Sequence, residues 1–265
     1  MKVYISADIE GVTGVTGWDE TDVGKPGYQA SRAQMAAEVR AACEGARRAG
    51  AREILVKDAH DTGRNLTPAD LPPGTQLVRG WSGHPLMMIE GLDRSFAGLV
   101  LVGYHAAAGS PGSPLAHSLA LRLHALEING EPASELRLAV WSAAHVGVPV
   151  VFVSGDEETC REARRLNPGI GTFAVKRSHG GATVSLDAER ATAGIRDGVA
   201  AALARDPSQC TIALPERFDV AVTYRDHPAA CRASFYPGAS LRASRTVGFE
   251  TSDLMEALRF LLFVA

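Results

Sequence analysis

The chain has 265 residues, 46% of them hydrophobic and 22% charged, with a formal net charge of −3. That balance excludes a disordered chain, which is poor in apolar residues and carries a large net charge, and the 27 Gly show no collagen period. It also supplies no global field toward nucleic acid or an anionic membrane, so any ligand is recognised locally.

Lys2–Ala7 alternates and is rich in β-formers, which predicts a strand ending at Asp8. Tyr28–Ala49, rich in Ala, Arg, Glu and Met and stopped by Gly50, predicts a helix. Glu53–Lys57 reads as a second buried strand ending at Asp58. Pro68, Pro72, Pro73 and Gly74 read as a loop, and Pro85–Glu90 as a short helix closed by Gly91. Phe96–Gly103 is nearly continuous in apolar residues, as a strand buried on both faces must be. A Gly/Pro/Ser loop follows over Ala106–Leu115. Ser118–Arg122 and His124–Ile128 read as strands, with a turn at Asn129-Gly130. Ser134–Val146 reads as a helix, Val148–Ser154 as a strand and Asp156–Leu166 as a helix with an acidic first turn.

This alternation predicts an α/β fold with a largely parallel sheet flanked by helices over residues 1–175. Beyond it the pattern changes. An Ala-rich helix over Asp187–Arg205, strands over Phe218–Tyr224 and Ser240–Glu250, and a helix over Ser252–Val264 predict a smaller α+β part from 176 to 265. Cys43, Cys160, Cys210 and Cys231 form no C-x-x-C pair, which suits reduced thiols rather than a zinc ribbon or disulfide framework. No apolar run reaches the ~20 residues of a membrane span, and no apolar stretch of signal-peptide type follows Lys2. A cytoplasmic protein without membrane or nucleic-acid partners is expected.

The predicted strand ends carry metal-ligand residue types. The first ends Asp8-Ile9-Glu10, the second Lys57-Asp58-Ala59-His60 and the third Gly103-Tyr104-His105. In an open parallel sheet, ligands bind outside the carboxyl ends of the strands. Taken singly, an Asp at a strand end is a turn residue and a His a core or surface residue. Asp8, Glu10, His60 and His105 on one rim instead suit Zn²⁺, or two such ions sharing a carboxylate. His117, just past the flexible loop, offers a general acid/base or an oxyanion donor. Glu135 stands at a predicted helix start, where a first-turn charge is favourable anyway. His84, His124, His145, His179 and His227 have no comparable setting. No dinucleotide fingerprint, P-loop, G-x-S-x-G elbow or H-E-x-x-H is present; Gly80-Trp81-Ser82-Gly83 has the wrong spacing for an elbow.

At these residues the chain resembles the zinc-dependent D-aminopeptidases of the dipeptide-operon type. Ser6-Ala7-Asp8-Ile9-Glu10-Gly11 is similar to that family's S-x-D-x-E-G opening, Lys57-Asp58-Ala59-His60 to its D-x-H segment, and Gly103-Tyr104-His105-Ala106 to its G-Y-H-A segment. His117-Ser118, Ile128-Asn129-Gly130 and Glu135-Leu136 follow in order, and the similarity runs to Met255-Glu256-Ala257. The loop from Ala106 to Ala116 is slightly longer than the family pattern. The resemblance implies two zinc ions with Asp8 bridging, Glu10 and His60 completing one site, His105 and Glu135 the other, and His117 as the catalytic histidine. It further implies a two-part α/β fold, a homo-oligomer built as a decamer with inward-facing sites, and short peptides with an N-terminal D-residue as substrates. Two other readings of the same residues stay open. One is a different binuclear metal hydrolase acting on phosphoesters or non-peptide amides, for which only Lys57, Arg64 and Arg79 lie near the rim in sequence as phosphate donors. The other is a non-catalytic metal- or peptide-binding protein.

Overall fold

In the computed structural model, which describes residues 1–265, the first strand is β1 (Lys2–Ala7). Five of its six residues are buried, so it is a central strand. It is followed by α1 (Tyr28–Arg48), with Ala49 as C-cap and Gly50 next at φ +93°. Then come β2 (Glu53–Asp58), β3 (Thr75–Val78) and β4 (Gly98–Tyr104), the last buried at every residue. β5 (Leu123–Ile128) and the two-residue β6 (Glu131–Pro132) form a hairpin around Asn129-Gly130. It leads into α2 (Glu135–Val146), β7 (Val150–Asp156) and α3 (Glu157–Leu166). Both helices are N-capped by side-chain oxygens, Ser134 for α2 and Asp156 for α3, each accepting the amide three residues on.

The next elements are the hairpin β8 (Gly171–His179) and β9 (Ala182–Ser185), then α4 (Ala188–Leu203), β10 (Phe218–Tyr224) and α5 (His227–Ala233). β11 (Ser240–Ala243), β12 (Thr246–Thr251) and α6 (Leu254–Val264) complete the chain.

One sheet runs β3-β2-β1-β4-β7-β8-β9, parallel except for β9; the other runs β11-β12-β10-β5-β6 and is antiparallel throughout. α1 packs on α4, and α2 on α3, so the parallel sheet has helices on both sides. The α/β fold with a largely parallel, helix-flanked sheet stands as expected. The two sheets do not separate along the chain at residue 175. β9 lies beyond that point in the first sheet, whereas β5 and β6 lie before it in the second.

Other local expectations need correction. Ser118–Arg122 is a turn region, because Leu119 takes the left-handed conformation at φ +63° and a strand cannot pass through it. Ser240–Glu250 is two strands around Ser244-Arg245, a turn without Gly or Pro to announce it. The short helix within Pro85–Glu90 shrinks to one 3₁₀ turn over Met87–Ile89. β3 and the β8–β9 hairpin had no strand expectation; their half-exposed residues lack a buried strand's apolar run.

Register places the site. Ala7 pairs with Asp58 on one side and Val102 on the other, so β1, β2 and β4 end at one level. The chain leaves β1 toward β2 and leaves β4 toward β7, so the order reverses between β1 and β4. A crevice outside the strand ends at such a reversal is where α/β sheets bind ligands.

Candidate metal centre

Asp8 is the first residue past β1, His60 the second past β2 and His105 the first past β4. Glu135 opens α2, and the β5–β6 hairpin aims that helix start at the crevice. Glu10 and His117 stand on the loops in between. All six predicted residues come together. Asp8 Oδ1 lies 3.3 Å from His60 Nδ1, and its Oδ2 lies 3.5 Å from His105 Nε2. Glu10 Oε2 is 3.0 Å from His60 Nδ1. Glu135 Oε2 is 3.7 Å from His105 Nε2, and its Oε1 is 3.6 Å from His117 Nε2. Asp8 thus turns one oxygen to each of two imidazoles. Potential ligand atoms of Asp8, Glu10 and His105 lie within 4.8 Å of one another, as do those of His105, His117 and Glu135.

Each imidazole has one nitrogen committed to a backbone carbonyl. His60 Nε2–H donates to Thr21 O at 3.1 Å, His105 Nδ1–H to Ala106 O at 2.9 Å, and His117 Nδ1–H to Leu115 O at 2.9 Å. The other nitrogen of each ring then turns a lone pair toward carboxylate oxygens. Lone pairs and carboxylates repel unless positive charge stands between them, and fixing one N–H while the other nitrogen ligates is how proteins orient metal-bound histidine. Glu10 Oε2 and His105 Nε2 are buried with no hydrogen-bond partner, an arrangement a bound cation resolves. The nitrogen and carboxylate donors suit zinc.

The electrostatics say the same. Burial and the neighbouring Glu10 push Asp8 up to about 8. Burial alone would lower His105, but Glu135, Asp8 and Glu10 outweigh it and raise it to about 10. His60 is likewise raised well above the ordinary imidazole value by Glu10 and Asp8 against its burial. The cluster therefore gathers protons, the charge that metal binding displaces. His117 behaves differently. Burial and then His105, whose ring stacks 4.2 Å away, hold it below the ordinary value.

The surrounding backbone explains the local sequence. Gly11 N donates to Gly103 O at 2.8 Å, and a Cβ on Gly11 would stand 1.8 Å from Tyr104 O. Gly103 has φ +74°, and a Cβ there would stand 2.2 Å from Asp8 O. Both positions need glycine for the β1 and β4 loops to touch. Asp58 accepts from Asn65 Nδ2 at 2.9 Å and Leu66 N at 2.6 Å, while Asn65 Nδ2 also donates to His60 O at 2.8 Å, clamping that loop. Buried Lys176 donates to Glu10 O and, at 2.5 Å, to Val15 O.

Five of the six residues line one cavity of about 460 Å³, with Trp18, Asp22, Asp61, Trp81, His84 and Met87 also on its wall; the sixth, His105, is buried, its ring stacked on that of His117. The sequence marks none of these wall residues as site residues: His84 follows no predicted strand end, and the tryptophans sit in stretches without a recognisable motif. No Lys or Arg lines the cavity. Lys57 does not line it; the side chain is buried behind the Trp81 ring and paired with Glu90 at 2.8 Å.

A sequence model of the D-aminopeptidase family matches residues 1–263. The D-aminopeptidase of Bacillus subtilis (strain 168) is 32% identical over 264 residues, which span 99% of this chain and 96% of that protein. Among solved structures, the chain resembles the Zn-dependent D-aminopeptidase DppA from Bacillus subtilis, a self-compartmentalizing protease. The TM-score is 0.91 at 31% identity, covering 100% of this chain and 96% of that one. The chain belongs to the D-aminopeptidase family.

Proposed function

We propose that this protein is a zinc-dependent aminopeptidase that hydrolyses short peptides beginning with a D-amino acid. The observation that carries the reading is the set of carbonyl-anchored imidazoles turned onto three buried carboxylates beside an open cavity. Asp8, with an oxygen toward His60 and another toward His105, would be shared between two ions. Glu10 and His60 would complete one site, and His105 and Glu135 the other. Zinc held there supplies Lewis acidity and lowers the pKa of water. His117 does the proton work. Its Nδ1–H is committed to Leu115 O, so Nε2 is the nitrogen that takes a proton from the water whose oxygen bonds to the amide carbon, and returns it to the amine nitrogen as the C–N bond breaks. Its lowered pKa keeps Nε2 unprotonated and ready at neutral pH. Glu135, 3.6 Å from Nε2, steadies the charge that His117 gains in the step.

The absence of Lys and Arg from the cavity wall disfavours a phosphate-bearing substrate. The D-preference follows the family. So does an assembly of copies with sites facing inward, a decamer by the same resemblance, since the B. subtilis relative is described as self-compartmentalizing. No helix is long and apolar enough to cross a membrane, and a cytoplasmic location is part of this reading. The test is hydrolysis of D-Ala-D-Ala against L-Ala-L-Ala by wild type and His60→Ala. We expect the wild type to cleave the D-peptide and the variant to lose zinc and activity together. Full activity in His60→Ala would defeat the assignment.

A further inference from the structure

Lys57 and the Gly80–Gly83 segment hold no part of the metal centre, yet they are tied together by a buried ion pair. Burying an ammonium is costly unless it is paired and hydrogen-bonded. Lys57 Nζ donates to Glu90 Oε1 at 2.8 Å and to the Gly80 carbonyl, and it lies 4.1 Å from the centroid of the Trp81 ring. Glu90 Oε2 accepts from the Ser82 amide at 3.1 Å and from the Ser82 hydroxyl. One ion pair therefore grips three consecutive residues: Gly80 by its carbonyl, Trp81 by its ring face and Ser82 by its amide and hydroxyl. The Trp81 indole Nε1–H donates to Asp61 O at 2.7 Å, one residue past His60. Glu90 is tied back to the central strand, since the Tyr4 hydroxyl donates to its carbonyl at 2.6 Å.

Trp81 nevertheless stays 42% exposed and lines the same cavity as Asp8, Glu10, His60 and His117. An aromatic ring on a cavity wall, fixed by a cation contact and an indole hydrogen bond, presents a rigid apolar face. The backbone around it is also constrained: Asp61 and Met87, both on the cavity wall, have φ of +45° and +43°. Left-handed non-glycine residues persist where the surroundings over-determine them, and they cluster at ligand sites. Asp61 lines the cavity, is exposed, and its carboxylate has no Lys, Arg or His within ion-pair distance. Such a carboxylate suits an ammonium group, and Asp61 is the acid whose backbone carbonyl holds the Trp81 indole.

On the aminopeptidase reading, we propose that Trp81 is a specificity-determining wall against the apolar side chain of the substrate's N-terminal residue, and that the Lys57–Glu90 pair is its positioning device. The test compares kcat/KM for D-alaninamide and D-leucinamide, with calorimetric binding of D-alanine and D-leucine to the zinc-loaded protein. Opening the wall with Trp81→Ala raises the leucyl-to-alanyl ratio by about tenfold, the scale on which apolar pockets discriminate by size. Trp81→Phe keeps the ratio near wild type. Lys57→Met/Glu90→Gln, which removes both charges together and leaves neither unpaired, shifts the ratio in the same direction as Trp81→Ala with zinc content unchanged. Ser82→Ala, on the surface, loosens the same segment and shifts it less, and serves should the double variant not fold. An unchanged ratio in Trp81→Ala overturns the wall. A shift in Trp81→Ala that neither the double variant nor Ser82→Ala reproduces overturns the positioning role. Should the wild type cleave neither amide, the hydrolase reading falls, and the binding ratios of the two amino acids still decide the role of Trp81.

Discussion

His117 differs from the other two histidines of the cluster in the direction its surroundings push its pKa. Against their burial, Glu10 and Asp8 raise His60, and Glu135 leads the groups that raise His105, whereas burial and His105 hold His117 low, which fits the proposed division into two ligands and one acid–base group. We therefore expect His117→Ala to keep its zinc and lose turnover by about 10²–10⁴, the usual contribution of a positioned acid–base group. Metal analysis beside the kinetics checks this, and loss of zinc together with activity would make His117 a ligand instead. A second residue tests the electrostatics away from the centre. Burial pushes Glu38 up to about 7, although Thr13 N and Gln34 Nε2 donate to its Oε1. The folded state then holds a proton that the unfolded chain releases near its ordinary value, so Glu38 costs stability as pH rises toward 7. Glu38→Gln removes that cost. Its melting temperature should gain on wild type by a few degrees between pH 5 and pH 8, and a constant difference across that range would contradict the assignment. Asp8, Glu10, His60 and His105 were legible because each follows an apolar strand end. The role of Lys57 is not legible, because a lysine beside a ligand motif reads as a free phosphate donor until its buried partner Glu90, distant in sequence, is seen.

At the scale of elements, α2 carries Glu135 and is held at its start by Ser134, whose hydroxyl oxygen accepts Arg137 N at 2.9 Å. Removing that cap with Ser134→Ala should cost about 1 kcal/mol, read by denaturant unfolding, and should weaken zinc retention because Glu135 is the first helical residue. Undiminished zinc affinity with lost stability would separate the cap from the centre. The central strands were legible from their continuous apolar runs, and the helices from their caps and glycine stops. The edges were not. β3 and β9 are half exposed and carry little of the hydrophobic signal. The left-handed Leu119 leaves no mark in composition, although its amide donates to Glu135 Oε1 at 2.8 Å and its strain serves the site.

At the scale of the whole molecule, the cavity draws on nearly the full length of the chain, from Asp8 to Ala265. The parallel sheet brings Asp8, His60 and His105 to one rim, the β5–β6 hairpin of the other sheet aims Glu135, and α6 adds Leu261 and Leu262 to the wall. The interleaving of the sheets could not be read locally, because β5 pairs with β10 across about a hundred residues of chain and nothing in either strand names its partner. The convergence of distant acids and imidazoles is the claim on which everything else rests. Native mass spectrometry of the protein during zinc titration tests it most directly. The account predicts about two zinc ions per chain in wild type and loss of both in Asp8→Asn, since Asp8 faces both halves of the cluster. A chain that takes up no zinc, or an Asp8→Asn variant that binds it as wild type does, would contradict it.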